Sequence, residues 1–263
     1  MRFKFALVLI APVLLLLASP VDAALSRNYL GRFMSTPPVG TAPFTTASMT
    51  PDASSILVAV VFSVSQGNVD YVSGLTITDS QSHTWTLRAS GCETVNWHTC
   101  LQIYTAPNTP TTSFTIDVDA GAFDVHNYMV DVISYTGQHA SPIGASLQLD
   151  NQASDGLLSV SLSGSPASTS EVVAALVGTA SGTTSAAPGS GWTELDDDTE
   201  SSWLGAESQI RTGSTSATVE WSDVDDGAGS FQGTAVVALE IIAADAGGPT
   251  CRGALLLLGV GGC

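Results

Sequence analysis

After residue 45, hydrophobic positions recur every second residue or gather into short β-branched runs. Gly, Pro, Asn, Asp or Ser closes nearly every one of them. Residues 56–64 are too rich in Val and Ile for a natural helix and predict a long buried strand. Residues 75–78 and 84–88 flank the turn-forming stretch 79–83 and predict a hairpin. Further strands are expected at 101–105, 113–118 and 128–135, the last apolar on both faces, as a central strand requires.

The second half repeats the style at 157–162, 172–177, 203–210, 217–221 and 234–242, with Gly, Ser and Thr in the connections. No stretch sustains a helical period with caps. The pattern therefore predicts an all-β chain, a single two-sheet jelly-roll-like sandwich in which strands of both halves interleave. Two tandem immunoglobulin-like sandwiches are the alternative, although the Cys–Trp–Cys spacing of a true immunoglobulin domain is absent.

The ends read differently. Residues 1–23 have the layout of a secretory signal peptide: Arg2 and Lys4, an apolar run over 5–17, and Val21-Asp22-Ala23, which resembles a small-residue cleavage site. The run is shorter than the roughly 20 residues of a spanning helix, so a retained anchor is the weaker reading. Residues 24–44 form an N-terminal segment, 45–243 the sandwich domain, and 244–263 a Gly/Pro linker with an apolar tail flanked by Cys251 and Cys263. The mature chain is expected to be secreted, extracellular, at the cell surface or in the periplasm, with no transmembrane helix.

Charge narrows the partners. The net charge of −17 becomes −18 without the leader, which holds two cations and one carboxylate, and Lys4 is the chain's single lysine. Five scattered arginines in such a field argue against nucleic acid and anionic lipid, both of which need clustered cations. An even cysteine count in an exported chain favours disulfides. Cys92 and Cys100 bracket a short polar excursion and suit a local staple. A metal site joining Cys92 and Cys100 to His98 lacks the close-spaced pairs of zinc sites.

The order of segments resembles a widespread, poorly characterised extracellular β-sandwich unit of bacterial exported proteins and phage tail or particle proteins. The residues that carry the resemblance are Thr50-Pro-Asp-Ala-Ser-Ser-Ile-Leu-Val58, Leu75-Thr-Ile-Thr-Asp-Ser80 with Thr84-Trp-Thr-Leu87, Ile133-Ser-Tyr-Thr-Gly137 with Ser141-Pro-Ile143, and Pro188-Gly-Ser-Gly-Trp192. They are turn and core positions. The resemblance implies a jelly-roll-like fold and a surface role, and it carries no catalytic residues.

Candidate chemistry is sparse. The acidic stretch 194–200 superficially resembles the Glu-x-Asp-x-x-Glu strand of laminarinase-type glycosidases, with Glu194, Asp196 or Glu200 in the catalytic roles. Its last Glu comes one place late, and Asp197 and Asp198 replace apolar partners, so a solvated hairpin tip is the plainer reading. Asp223, Asp225 and Asp226 form an oxygen-rich loop that could take Ca²⁺, the one cofactor considered, although the full calcium-loop pattern is missing. His83, His98, His126 and His139 lie in or beside predicted loops, and no Gly-x-Ser-x-Gly elbow accompanies them. Trp97, between Asn96 and His98, is the best candidate for stacking on a sugar.

Three functions follow in order. The first is a non-enzymatic surface or particle component, structural or adhesive, that self-assembles or docks through its tail. The second is a carbohydrate-binding module using Trp97, Asn96 and His98. The third is a secreted glycosidase.

Overall fold

The computed structural model describes residues 24–65, 75–93, 98–107, 112–154, 156–178, 185–200, 204–225 and 231–244. Residues 23–244 cluster into one compact unit. Residues 1–23, expected to be a signal peptide, and the tail with Cys251 and Cys263 lie outside the described residues.

The described residues form sixteen strands and no helix. The first eight are β1 (Ser26–Met34), β2 (Phe44–Thr45), β3 (Ile56–Ser65), β4 (Thr76–Asp79), β5 (Thr86–Glu93), β6 (Thr99–Pro107), β7 (Ile116–Asp119) and β8 (Val125–Thr136). They make a five-stranded sheet of order β1-β8-β3-β6-β5 and a three-stranded sheet of order β2-β7-β4.

The next eight are β9 (Gln138–Ser154), β10 (Leu158–Ser161), β11 (Glu171–Gly178), β12 (Ser185–Pro188), β13 (Thr193–Glu200), β14 (Leu204–Thr212), β15 (Thr218–Asp225) and β16 (Phe231–Ala243). Their sheets run β9-β16-β11-β14-β13 and β10-β15-β12. Adding eight to each strand number of the first half reproduces the second half. The chain is an internal repeat in topology, with Gly137 (φ 73°) as the single residue between the halves.

The strongest apolar strands explain the layering. In β3 the even positions Ile56, Val58, Val60, Phe62 and Val64 belong to one core, while Leu57, Ala59 and Val61 belong to another. In β11, Val173, Ala175 and Val177 join the first of these, and Val172, Ala174 and Leu176 enter a third. A strand apolar on both faces needs a layer on each side. The result is three cores. One lies between the two five-stranded sheets, and the others lie between each five-stranded sheet and its three-stranded partner.

The β-sandwich expected from alternation is present, with every strand pair antiparallel, and it is built as two pairs of sheets. Two expectations are corrected. Strands of the two halves do not interleave within a sheet, because each half closes its own pair and meets the other face to face. The segments at 75–78 and 84–88 are not a hairpin either. β4 pairs with β7 and β5 with β6, in different sheets. The arch between them is held by Asp79, which accepts from the Gln81 and His83 amides at 2.7 and 3.3 Å and from the Trp85 indole at 2.5 Å. Those bonds close a crossover between layers, where a two-residue hairpin turn needs none of them.

Five strands were not anticipated: β1, β2, β9, β12 and β13. β1, β9 and β13 are edge strands rich in polar residues, so their sequences show no simple period.

Candidate functional site

Charged residues gather along β1, β13 and β14, and the geometry there begins with two bulges. In β1 the register slips between Tyr29 and Gly31, with Gly31 at φ 128°, a value that favours glycine. The extra residue, Leu30, puts Tyr29 and Arg32 on the same face of the strand. Arg32 stands directly opposite Asp131 of β8. Its Nε donates to Asp131 Oδ1 and its Nη2 to Oδ2, each at 2.7 Å. The guanidinium also lies 5.4 Å from the Phe62 ring centroid.

This pair sits in the central core, with side chains 4% and 0% exposed, and it reaches the other half. Arg32 donates to the carbonyls of Ala206 (3.3 Å) and Asp196 (3.1 Å), and the Tyr29 hydroxyl lies 3.1 Å from both Asp131 and Asp196. Burial lowers the pKa of Arg32, but the Asp131 hydrogen bonds and charge outweigh it and the net shift is upward. Burial, then the Asp131 charge, pushes the Tyr29 phenol far above its ordinary range. A second seam lies nearby. Arg27 donates to Glu171 at 2.7 Å, and the same carboxylate accepts from Tyr135 at 2.5 Å and Thr212 at 2.7 Å. The two seams are ties between halves.

The bulge in β13, between Glu194 and Asp196, sorts the acidic stretch onto two faces. Asp196 pairs with Ser208 on the central face. Glu194 pairs with Gln209, and Asp197 with Glu207, on the outer face. Glu207 also stands beside Leu176 of the outer core. It is 1% exposed and neither carboxyl oxygen has a hydrogen-bond partner. Burial, then the charges of Glu194 and Asp197, raise its pKa to about 9, so it is protonated at neutral pH. Glu194, exposed nearby, also shifts upward, through burial and then the charges of Asp197 and Asp196. A closed-in neutral acid has no path to a substrate, and among the described residues no group of three His, Cys, Asp or Glu is placed to hold a metal ion.

Farther along the same outer face, Arg211 lies over Trp192 with its guanidinium 4.5 Å from the ring centroid. Gln209 accepts from Gly189 N at 3.3 Å and donates to Glu220 O at 2.9 Å, which locks the turn before β13 onto β15. An open depression of about 380 Å³ lies here, bounded by that turn, the end of β14 and β15.

The anticipated residues are scattered. Cys92 and Cys100 face each other across β5 and β6 and are joined by a disulfide. Asn96 and Trp97 lie outside the described residues. His98, at the foot of β6, has φ 50° and a ring Nδ1 that is buried without a partner. Asp223 and Asp225 are on β15, opposite Ala187 and Ser185, in a strand and not a loop. Asp223 is exposed, and Asp226 lies outside the described residues. Glu194 and Asp196 point to opposite faces, and Glu200 ends β13 with its side chain undescribed.

Sequence reasoning missed Arg32, Asp131, Glu207 and Arg211. The one available signal was a charge inside an apolar strand pattern, as Asp131 is in 128–135. In comparisons with known protein families, curated proteins and solved structures, the chain matches none.

Proposed function

We propose that this chain is an exported, non-enzymatic surface or particle component, whose stacked sandwiches form a rigid body and whose C-terminal tail, residues 251–263, assembles it with further copies. The observation that supports this most is the seam between the halves. Arg32, Asp131, Glu171, Arg27 and Tyr135 tie the two five-stranded sheets together around a continuous apolar core. Such a double tie resists hinge motion between halves and suits a spacer better than a clamp around a substrate. The lysine-free, Ser- and Thr-rich, acidic composition suits exposure to the medium.

The glycosidase alternative has weaker support. Asp196 is engaged by the interior seam on the face opposite Glu194, so those two carboxylates cannot flank one glycosidic bond.

The test is expression of the full chain in a bacterial host, with and without residues 251–263. Mass spectrometry should find the N-terminal segment removed from exported protein. Light scattering should find oligomers of the full chain and a monomer of unchanged melting temperature without the tail. A chain retained inside the cell with its leader intact, or monomeric with and without the tail, overturns the proposal.

A further inference from the structure

We infer that the depression formed by Trp192, Arg211, Ser214, Ser216, Thr218 and Glu220 binds a neutral glycan, one or two hexose units deep. At about 380 Å³ it falls within the range of small-ligand sites. Its position is fixed by packing. A Cβ on Gly189 would meet the Glu220 carbonyl oxygen at 2.3 Å, so the turn lies tight against β15, and Gly191 (φ 79°) completes it.

The floor is the Arg211–Trp192 stack, each residue 8% exposed. Arg211 Nη1 donates to Thr218 O at 2.6 Å and Nη2 to Ser216 O, while Nε has no partner. Nε is closed off from solvent, two of the four terminal N–H groups are used, and among the described residues no carboxylate lies within ion-pair range of the guanidinium. Arg32, the buried arginine of the central core, is by contrast engaged by Asp131. On the wall, the Ser214 and Ser216 hydroxyls accept from the Ser216 and Thr218 amides at 3.2 Å each, which fixes their oxygens and leaves each O–H free to donate. Glu220 is half-buried at the rim, and its carboxylate makes no hydrogen bond to the described residues.

The site thus offers hydroxyl donors, a carboxylate acceptor, guanidinium N–H groups and the edge of a flat apolar ring. A sugar ring uses all four, because its hydroxyls both donate and accept and its C–H faces are apolar. An anion meets Glu220 and the field of a chain with net charge −17, with one cation to hold it. A purely apolar ligand would strip water from Glu220 and the serines without replacing those bonds. This inference rests neither on export nor on the tail.

The experiment is an array of neutral gluco-, manno-, galacto- and xylo-oligosaccharides beside uronate and sulfated ones, read with the full chain and followed by calorimetry on the best neutral binder. Glu220→Ala removes the acceptor and Ser190→Trp, at an exposed rim position, obstructs entry. Arg211 is left intact because its removal would loosen the Trp192 packing. Expected are retention of a neutral oligosaccharide and at least tenfold weaker binding in each variant, at an unchanged melting temperature. Retention of charged glycans alone, of no glycan, or affinity that survives either substitution overturns the inference.

Discussion

Arg32 and Asp131 face each other across β1 and β8 in a two-pronged ion pair, and the same guanidinium hydrogen-bonds to the backbone of β13 and β14 in the other half of the chain. A strand from the very start of the domain therefore seals the junction of two sandwiches. The pair is fully desolvated, so its worth lies in what happens when one member is lost.

Asp131→Asn should expose that cost. It leaves the Arg32 charge buried with a neutral partner, and a loss of about 3–5 kcal/mol is expected in urea unfolding. The double replacement Arg32→Met with Asp131→Leu should recover most of it, because a packed apolar pair needs no countercharge. A single variant as stable as the parent would show that water reaches the pair.

Glu207 gives the fold a pH dependence of definite sign. Its pKa is about 9 in the fold against 4.5 as a free side chain. The stability it contributes is fully present below about pH 4.5 and is lost as pH rises toward 9. The melting temperature of the parent should fall between pH 5 and 9, and that of Glu207→Gln should fall less. Parallel profiles for the two would place the titration elsewhere.

The Cys92–Cys100 bond closes a short loop between paired strands. Replacing both by Ser should lower stability by roughly 2–3 kcal/mol through the greater freedom of the unfolded chain. Denaturant midpoints of the oxidised parent and the double variant measure it. An unchanged midpoint would mean that the β5–β6 ladder alone fixes the loop in both states.

Each half uses the other as its second layer. Residues 24–136 expressed alone would leave Ile56, Val58, Val60, Phe62 and Leu101 of the central core without cover. They should self-associate through that face, as dimers or aggregates in sedimentation velocity. A stable monomer would show that the central core is dispensable to the fold of a half.

Alternation of apolar residues made the strands β3, β6, β8, β11, β14 and β16 legible, because a strand buried on both faces is recorded in consecutive positions. β1 and β13 were not legible. Their inward side chains are charged, and a bulge in each shifts the period by one residue midway. The local staple at Cys92–Cys100 was readable from spacing alone, whereas Trp192 and Arg211 come from separate segments that nothing in either one connects.

Neighbours along the chain are enough to make it all-β, to mark its most deeply buried stretches and to pair the nearby cysteines. Tertiary structure decided that the halves stack in four layers without interleaving, that Asp131 is answered by Arg32, and that Glu207 is not answered at all. Those outcomes depend on which faces meet across sheets, and a pattern of period two records how deeply a face is buried without naming what lies opposite it.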